Sequence, residues 1–330
     1  MNFRTELFLK ESEFKLSHSD KIIGFGSCFV DSIGGKLEDS KFQTMMNPFG
    51  TLFHPLAIEN AIARIHSKIN YTESEIFNHQ ELYFSWDHHS SFNKTSLKST
   101  LEGINSQLEM ANELIQNANV FFLTFGTAWV YKVNQLDLIV ANCHKVPMKH
   151  FEKILLTEAQ IKSSLRNCFN YILDINPKAQ IITTISPVRH LKDGMVENNI
   201  SKGKLISNLH EVLSQYENAH YFPAYELMMD DLRDYRFYKE DLLHPNEMAI
   251  DYIWDKFSEK YFDETTSRKI RITEKINSAL AHRPLHKGTI SYKTFLFNTL
   301  RQVEQVESQF PKNCFETEKL TLKDWMKNAD

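Results

Sequence analysis

Cysteine is scarce in this chain of 330 residues, which holds only Cys28, Cys143, Cys168 and Cys314. They lie far apart and form no CxxC pair. That removes both a disulfide framework and a zinc knuckle, and leaves reduced thiols in a cytoplasm as the plain expectation. Long hydrophobic runs are missing too. The longest apolar pieces are strand-like, such as "NVFFLTFG" at 119–126, far short of the roughly 20 residues that span a bilayer. The amino-terminal stretch "MNFRTELFLKESEFKL" carries charge every few residues and has no apolar core of signal-peptide length, so neither secretion nor membrane insertion is expected. Charge of one sign is not in excess. A formal net charge of -4 and a pI near 6.4 give no electrostatic reason for binding nucleic acid or an anionic membrane. Repeats and low-complexity tracts are absent as well.

What the chain does have is hydrophobic content of 42% against 24% charged residues, enough for one large domain with an appendage, or for two domains. Up to about residue 262, short apolar pieces alternate with longer stretches that repeat apolar residues at three- and four-residue spacing. The first are "KIIGFG" (21–26), "FQTMM" (42–46), "NVFFLTFG" (119–126), "AQIITTIS" (179–186) and "AHYFPA" (219–224). The second cover 54–69, 99–118, 157–175, 199–216 and 246–262. Strands that are nearly all apolar are covered on both faces, and amphipathic helices between them supply the cover. The pattern therefore predicts an α/β protein with a parallel sheet in a three-layer α/β/α, flavodoxin-like arrangement. Two stretches, "LYFSWDHHSSF" (82–92) and "AWVYKVNQLDLIVANCH" (128–144), read as β-rich insertions near the ends of sheet strands. The expected division is a catalytic domain over 1–262 and a helical appendage over 263–330. The appendage reads as two helices joined around Arg283-Pro284, and is a candidate cap for the site or a candidate dimer surface.

The stretch with chemical interest is "KIIGFGSCFVDSIGGKLEDS", 21–40. A strand stops at Gly26, and a helical pattern starts after Ser27. Such a turn lies at the carboxyl edge of a parallel sheet, where open α/β folds bind ligands. The first amides of a helix lack internal acceptors, so those of Ser27 and Cys28 are expected to face an anion. Taken alone, Ser27 reads first as a helix N-cap. As a nucleophile it needs a base and a group that orients the base. Of 14 histidines, His244 stands out in "EDLLHPNEMAIDYIWDKF", with Asp241 three positions earlier and a helix start just after. A carboxylate bonded to one ring nitrogen fixes the tautomer and leaves the other as a base.

A serine at the first strand-to-helix turn and Asp-x-x-His before the last helix resemble the SGNH, or GDSL-type, esterase superfamily. More narrowly, Gly26-Ser27-Cys28-Phe29-Val30 resembles the motif of the GSCFA family, a bacterial group similar to SGNH hydrolases. "NPFG" (47–50), "ANCHKVP" (141–147), "SPVRH" (186–190) and "SK" (201–202) are similar to that family's motifs and come in the same order. The resemblance spans about residues 3–262. It implies Ser27 as nucleophile, His244 as general base and then acid, and Asp241 as the group that orients His244. It also implies that the Gly50 amide joins that of Ser27 in an oxyanion hole, although a glycine after Pro48 equally suits a plain turn. In the third block, "LTFGTAWVY" supplies Gly126 but has Ala128 where the superfamily places an asparagine that donates to the oxyanion. One such donor is worth about 10²–10³ in rate. Asn142 or His144, in the polar turn "VANCHKVP", are the candidates to replace it.

The function implied is a serine-dependent acyl-ester hydrolase, and more narrowly a carbohydrate O-acetyl esterase that needs neither metal nor organic cofactor. Its partner would be a small-molecule or glycan ester. A homo-oligomer stays open. The alternatives are an O-acyltransferase of polysaccharide synthesis and a glycan-binding protein without turnover. Cys28 is a second candidate nucleophile, although core packing suits it better. His88-His89 suggest metal at first sight, but neighbours on a strand face opposite sides. Arg189 and His190 follow a strand's carboxyl end and are equally a loop ion pair or a substrate contact. Trp86, Trp129 and Tyr131 are candidate sugar platforms or core aromatics.

Overall fold

The computed structural model describes residues 4–286 and 288–328. Strand β1 (Lys21–Gly26) is buried beyond its first residue and leads through Ser27 into helix α1 (Cys28–Asp39). Next come β2 (Gln43–Met46), α2 (Pro55–Ser67), the hairpin β3 (Phe77–His79) and β4 (Leu82–Phe84), and α3 (Leu97–Ile115). Strand β5 (Val120–Phe125) is followed by β6 (Trp129–Val133), β7 (Leu138–Val140), β8 (Phe151–Leu155) and α4 (Glu158–Ile175). Then follow β9 (Gln180–Ile185), α5 (Met195–Leu213), β10 (Ala219–Tyr221), the single turn α6 (Ala224–Glu226) and α7 (Glu247–Tyr261). The chain ends in α8 (Glu264–Ala281), α9 (Ile290–Val306) and α10 (Glu316–Lys327).

The central sheet has five strands in the order β10-β9-β5-β1-β2, and every pairing is parallel. Period-2 alternation sends Ile23, Phe25, Phe121, Leu123, Phe125, Ile181 and Ile185 to one core, shared with α2, α3, α4 and α5. It sends Ile22, Val120, Phe122 and Ile182 to the other, shared with α1, α7 and the start of α8. Two cores on one sheet make the three-layer α/β/α architecture that the alternating pattern predicts. The chain runs outward from β1 to β2 and returns on the far side of β1 to form β5. The switch point thus falls between β1 and β5, where the carboxyl edge of such a sheet opens a crevice.

The insertions expected near residues 82–92 and 128–144 are the β3–β4 hairpin and an antiparallel sheet ordered β7-β6-β8. Phe84, Trp86, Val133, Val140 and Phe151 close a small core between them.

The tail differs from expectation in its number of helices. Among the described residues it has three helices, because α10 follows the two predicted ones, and Ile276, Tyr292, Leu296, Val303, Phe315 and Leu322 give it its own apolar core. Its position also answers whether it caps the site. Asn277 donates to the carbonyl of Asp39 (2.9 Å), and Lys41 pairs with Glu318 (2.6 Å) with both side chains mostly covered. Asp39 ends α1 and Lys41 precedes β2, so these contacts lie at the amino edge of the sheet, the opposite edge from Ser27. Among the described residues, no helix is long and apolar enough to cross a membrane.

Candidate active site

The turn that holds Ser27 follows from two close approaches. Gly26 has φ +142°, and a Cβ there would lie 2.1 Å from the Thr124 carbonyl oxygen of β5, so no other residue fits. Asn47, the first residue of "NPFG", fastens the turn from the other side: its Oδ1 accepts from the Gly26 amide (2.8 Å), and its Nδ2 donates to Asp31 (2.8 Å). The sequence reading had missed Asn47. Ser27 follows with its side chain 0% exposed, and its Oγ accepts from the Phe29 amide at 3.4 Å. The N-cap role is therefore present in the resting structure.

The expected free amides are mostly engaged. Ser27 N–H donates to Thr124 (3.1 Å) and Gly50 N–H to Asn47 (2.7 Å). Gly126 N–H donates to Phe53 (2.8 Å). These bonds correct the reading of Ser27 and Gly50 as spare donors, because β5 and a tight turn use both. Gly50 sits at φ +74° against His89, which explains the glycine by the turn itself. For the Cys28 amide, no acceptor is present among the described residues. Its thiol is pushed up by burial and by Asp31, which keeps it a thiol rather than a thiolate.

His244 and Asp241 lie in the loop before α7. A short bridge from Tyr238 to Pro245 closes that loop, with bonds from Lys239 N–H to the His244 carbonyl (2.8 Å) and from Asn246 N–H to the Phe237 carbonyl (2.9 Å). Asn246 caps α7 through Ala249 (3.1 Å) and donates its amide to the Arg236 carbonyl (2.6 Å), so the cap also pins the loop. His244 Nδ1 and Asp241 Oδ2 are 2.6 Å apart. The amides of His244 and Leu243 and the His244 ring together hold the Asp241 carboxyl down at about 2. With Nδ1–H donating to this carboxylate, Nε2 carries the lone pair. The two side chains are 41% and 45% exposed, so the base faces solvent while Ser27 does not. No hydrogen bond joins Ser27 Oγ to His244 in this resting state.

A further group of residues lies at the ends of β5 and β9 and on the adjoining face of α5. His190 is edge-on to Phe53 (centroids 5.3 Å), and its Nε2 is 3.2 Å from where a Cβ on Gly126 would sit. Burial, with Lys202 and His244 close by, pushes His190 down to about 4, a neutral imidazole whose Nε2 has no partner among the described residues. Lys202, on α5, is 1% exposed; its Nζ donates to the Ser186 carbonyl (2.7 Å) at the end of β9. Beside it, Ser201 Oγ accepts from the Ala128 amide (2.7 Å) and touches Thr127 Oγ1 (3.1 Å). The Arg189 guanidinium reaches Met229 Sδ (3.0 Å) and is no loop ion pair among the described residues.

Asn142 and His144 go elsewhere. Asn142 Oδ1 accepts from the His144 amide (2.8 Å), and the His144 ring stacks on Phe84 (4.2 Å) in the insertion core. No contact brings either to Ala128 or Ser27 among the described residues. His88 is buried against Phe49, Tyr71 and Phe92, while His89 bonds Ser91. Trp86 belongs to the insertion core, and Trp129 Nε1 donates to the Glu197 carbonyl (3.2 Å). A cleft of about 520 Å³, lined by Asn60, Glu75, Trp86 and Asp87, lies between α2 and the insertions; neither Ser27 nor His244 lines it.

The motif order, Ser27 at the β1 turn and Asp241-x-x-His244 before α7 all sit within residues 21–257, which match the GSCFA family model. The chain belongs to the GSCFA family. Residues 273–328 match the C-terminal domain of GSCFA domain proteins, the segment of α8 to α10. No curated protein matches this sequence. A solved structure, that of a carbohydrate esterase family 3 from Talaromyces cellulolyticus, aligns with 78% of this chain and 99% of its own at 8% identity and a TM-score of 0.36.

Proposed function

We propose that this GSCFA protein is a serine-dependent hydrolase of carboxylic esters, with O-acetylated carbohydrate as its substrate class. The observation that carries the reading is the Asp241–His244 pair, a base of fixed tautomer close enough for its charge to act on His190, which follows the carboxyl end of β9. In this reading the Ser27 hydroxyl turns away from its capping position and gives its proton to His244 Nε2. Its oxygen bonds to the ester carbonyl carbon, and the carbonyl π pair moves onto oxygen. On collapse that pair returns, the C–O bond to the sugar breaks, and the alkoxide takes the proton from His244. Water then repeats the sequence on the acyl-serine. Apo sites often hold these contacts long, so closure on substrate is part of the reading.

Turnover of p-nitrophenyl acetate that is lost in Ser27→Ala, with mass spectrometry locating a fluorophosphonate adduct on Ser27, would support it. Inertness toward acetylated glycans in wild type and His244→Ala alike, with retained binding, would replace it with a glycan-binding function. The complete burial of Ser27 favours a second reading, acyl transfer to a sugar hydroxyl in a pocket that excludes water. Product analysis with an added acceptor separates the two.

A further inference from the structure

Three donors expected for an oxyanion are accounted for elsewhere: the asparagine is Ala128, and the amides of Ser27 and Gly50 bond to Thr124 and Asn47. A different donor comes from the helix that packs on the third block. The Ser201–Lys202 pair is anchored to the third block through Ser201 Oγ, which holds the Ala128 amide. The next residue, Lys202, extends its ammonium along the carboxyl ends of the strands to the Ser186 carbonyl. It lies near enough to Cys28, the neighbour of Ser27, and to His190 to interact with both through space. Lysine is almost never this buried without a paired anion. Here it has one carbonyl, the Tyr225 ring at 5.7 Å and no carboxylate among the described residues, and its neighbours include a second cation, Arg189. Two of its three N–H groups have no protein acceptor among the described residues.

We propose that Lys202 is a catalytic residue of this site, whose ammonium donates to the carbonyl oxygen as that oxygen gains charge, in place of the missing asparagine. The inference rests on the serine-esterase reading above. Lys202 forms no covalent bond. When Ser27 attacks, the π pair moves to an oxygen that receives an N–H from Nζ, and on collapse the pair leaves that oxygen while Lys202 keeps its protons. A fully desolvated donor does this more effectively than one in water, because no solvent has to reorient. The buried charge then meets its counter-charge only in the transition state, the condition for raising kcat rather than only lowering KM.

The test uses the full chain and Lys202→Met, which keeps the volume and removes the donor. The rate of Ser27 phosphonylation by a fluorophosphonate probe, which also builds charge on an oxygen, is expected to fall about 10²–10³-fold. The melting temperature at pH 6 is expected to stay level or rise, since an unpaired buried charge is removed. Phosphonylation within twofold of wild type would overturn the proposal, and so would a slower rate that comes with a lower melting temperature, the mark of a structural role. Absence of any Ser27 adduct in wild type would instead overturn the serine reading, and this inference with it.

Discussion

The buried ammonium of Lys202 predicts a dependence of stability on pH that no surface lysine would show. Desolvation, with Arg189 nearby, pushes its pKa from 10.5 down to about 7 in the folded protein. Below pH 7 both folded and unfolded chains carry the proton, and the full cost of burying charge is present. Between about 7 and 10.5 the unfolded chain binds more protons than the folded one, so stability rises with pH across that window. At about 1.4 kcal/mol per tenfold, the gain approaches about 5 kcal/mol. Unfolding entropy near 2.1 cal/mol/K per residue gives about 0.7 kcal/mol/K for this chain, so the gain corresponds to about 7 °C in melting temperature. Calorimetry of wild type and Lys202→Met from pH 6 to 10 isolates the effect, because other titrating groups cancel in the difference. At pH 6 the variant should melt higher, and the difference should shift by about 6 °C in favour of wild type by pH 10. Parallel curves would refute the reasoning and show that the ammonium is compensated by a partner.

Other perturbations test the turn and the base. Asp241→Asn removes the carboxylate that fixes the His244 tautomer and should lower kcat by about 10²–10⁴ with little change in melting temperature, since the pair is half exposed. Gly26→Ala places a Cβ 2.1 Å from a backbone oxygen at φ +142°, and should cost more than about 3 kcal/mol or prevent soluble expression. Urea titration measures it. Cys28→Ala should retain ester turnover, and the wild-type thiol should react with iodoacetamide at pH 7 far more slowly than free cysteine, because burial raises its pKa. Rapid alkylation with loss of activity would reopen Cys28 as the nucleophile.

Much of the fold was legible because parallel strands covered on both faces leave unbroken apolar runs, and the helices between them repeat every three to four residues. Strands β1, β2, β5 and β9 begin and end within about a residue of their sequence bounds. Helix α10 was missed for the converse reason: only Leu322 is buried along it, too thin a stripe to read. At the site, the turn around Ser27 and the adjacency of Asp241 and His244 are local, so spacing was enough. Asn142 and His144 could not be placed from the sequence, because a polar turn looks the same whether it faces a pocket or packs against Phe84. Lys202 did leave a signal. It falls on the same α5 face as Asn198, Ser201, Leu205 and Leu209, and a lysine on a buried stripe needs a reason.

By itself, then, the order of residues determined the strands, the helices and the carboxylate–imidazole pair, all of which depend on neighbours a few positions apart. The tertiary structure alone decided which amides were already spoken for, where the tail docks and which buried cation reaches the Ser186 carbonyl at the end of β9. Those outcomes depend on groups from β5, the Asn47 loop and α5, which chain folding brings to one edge and which no local pattern encodes.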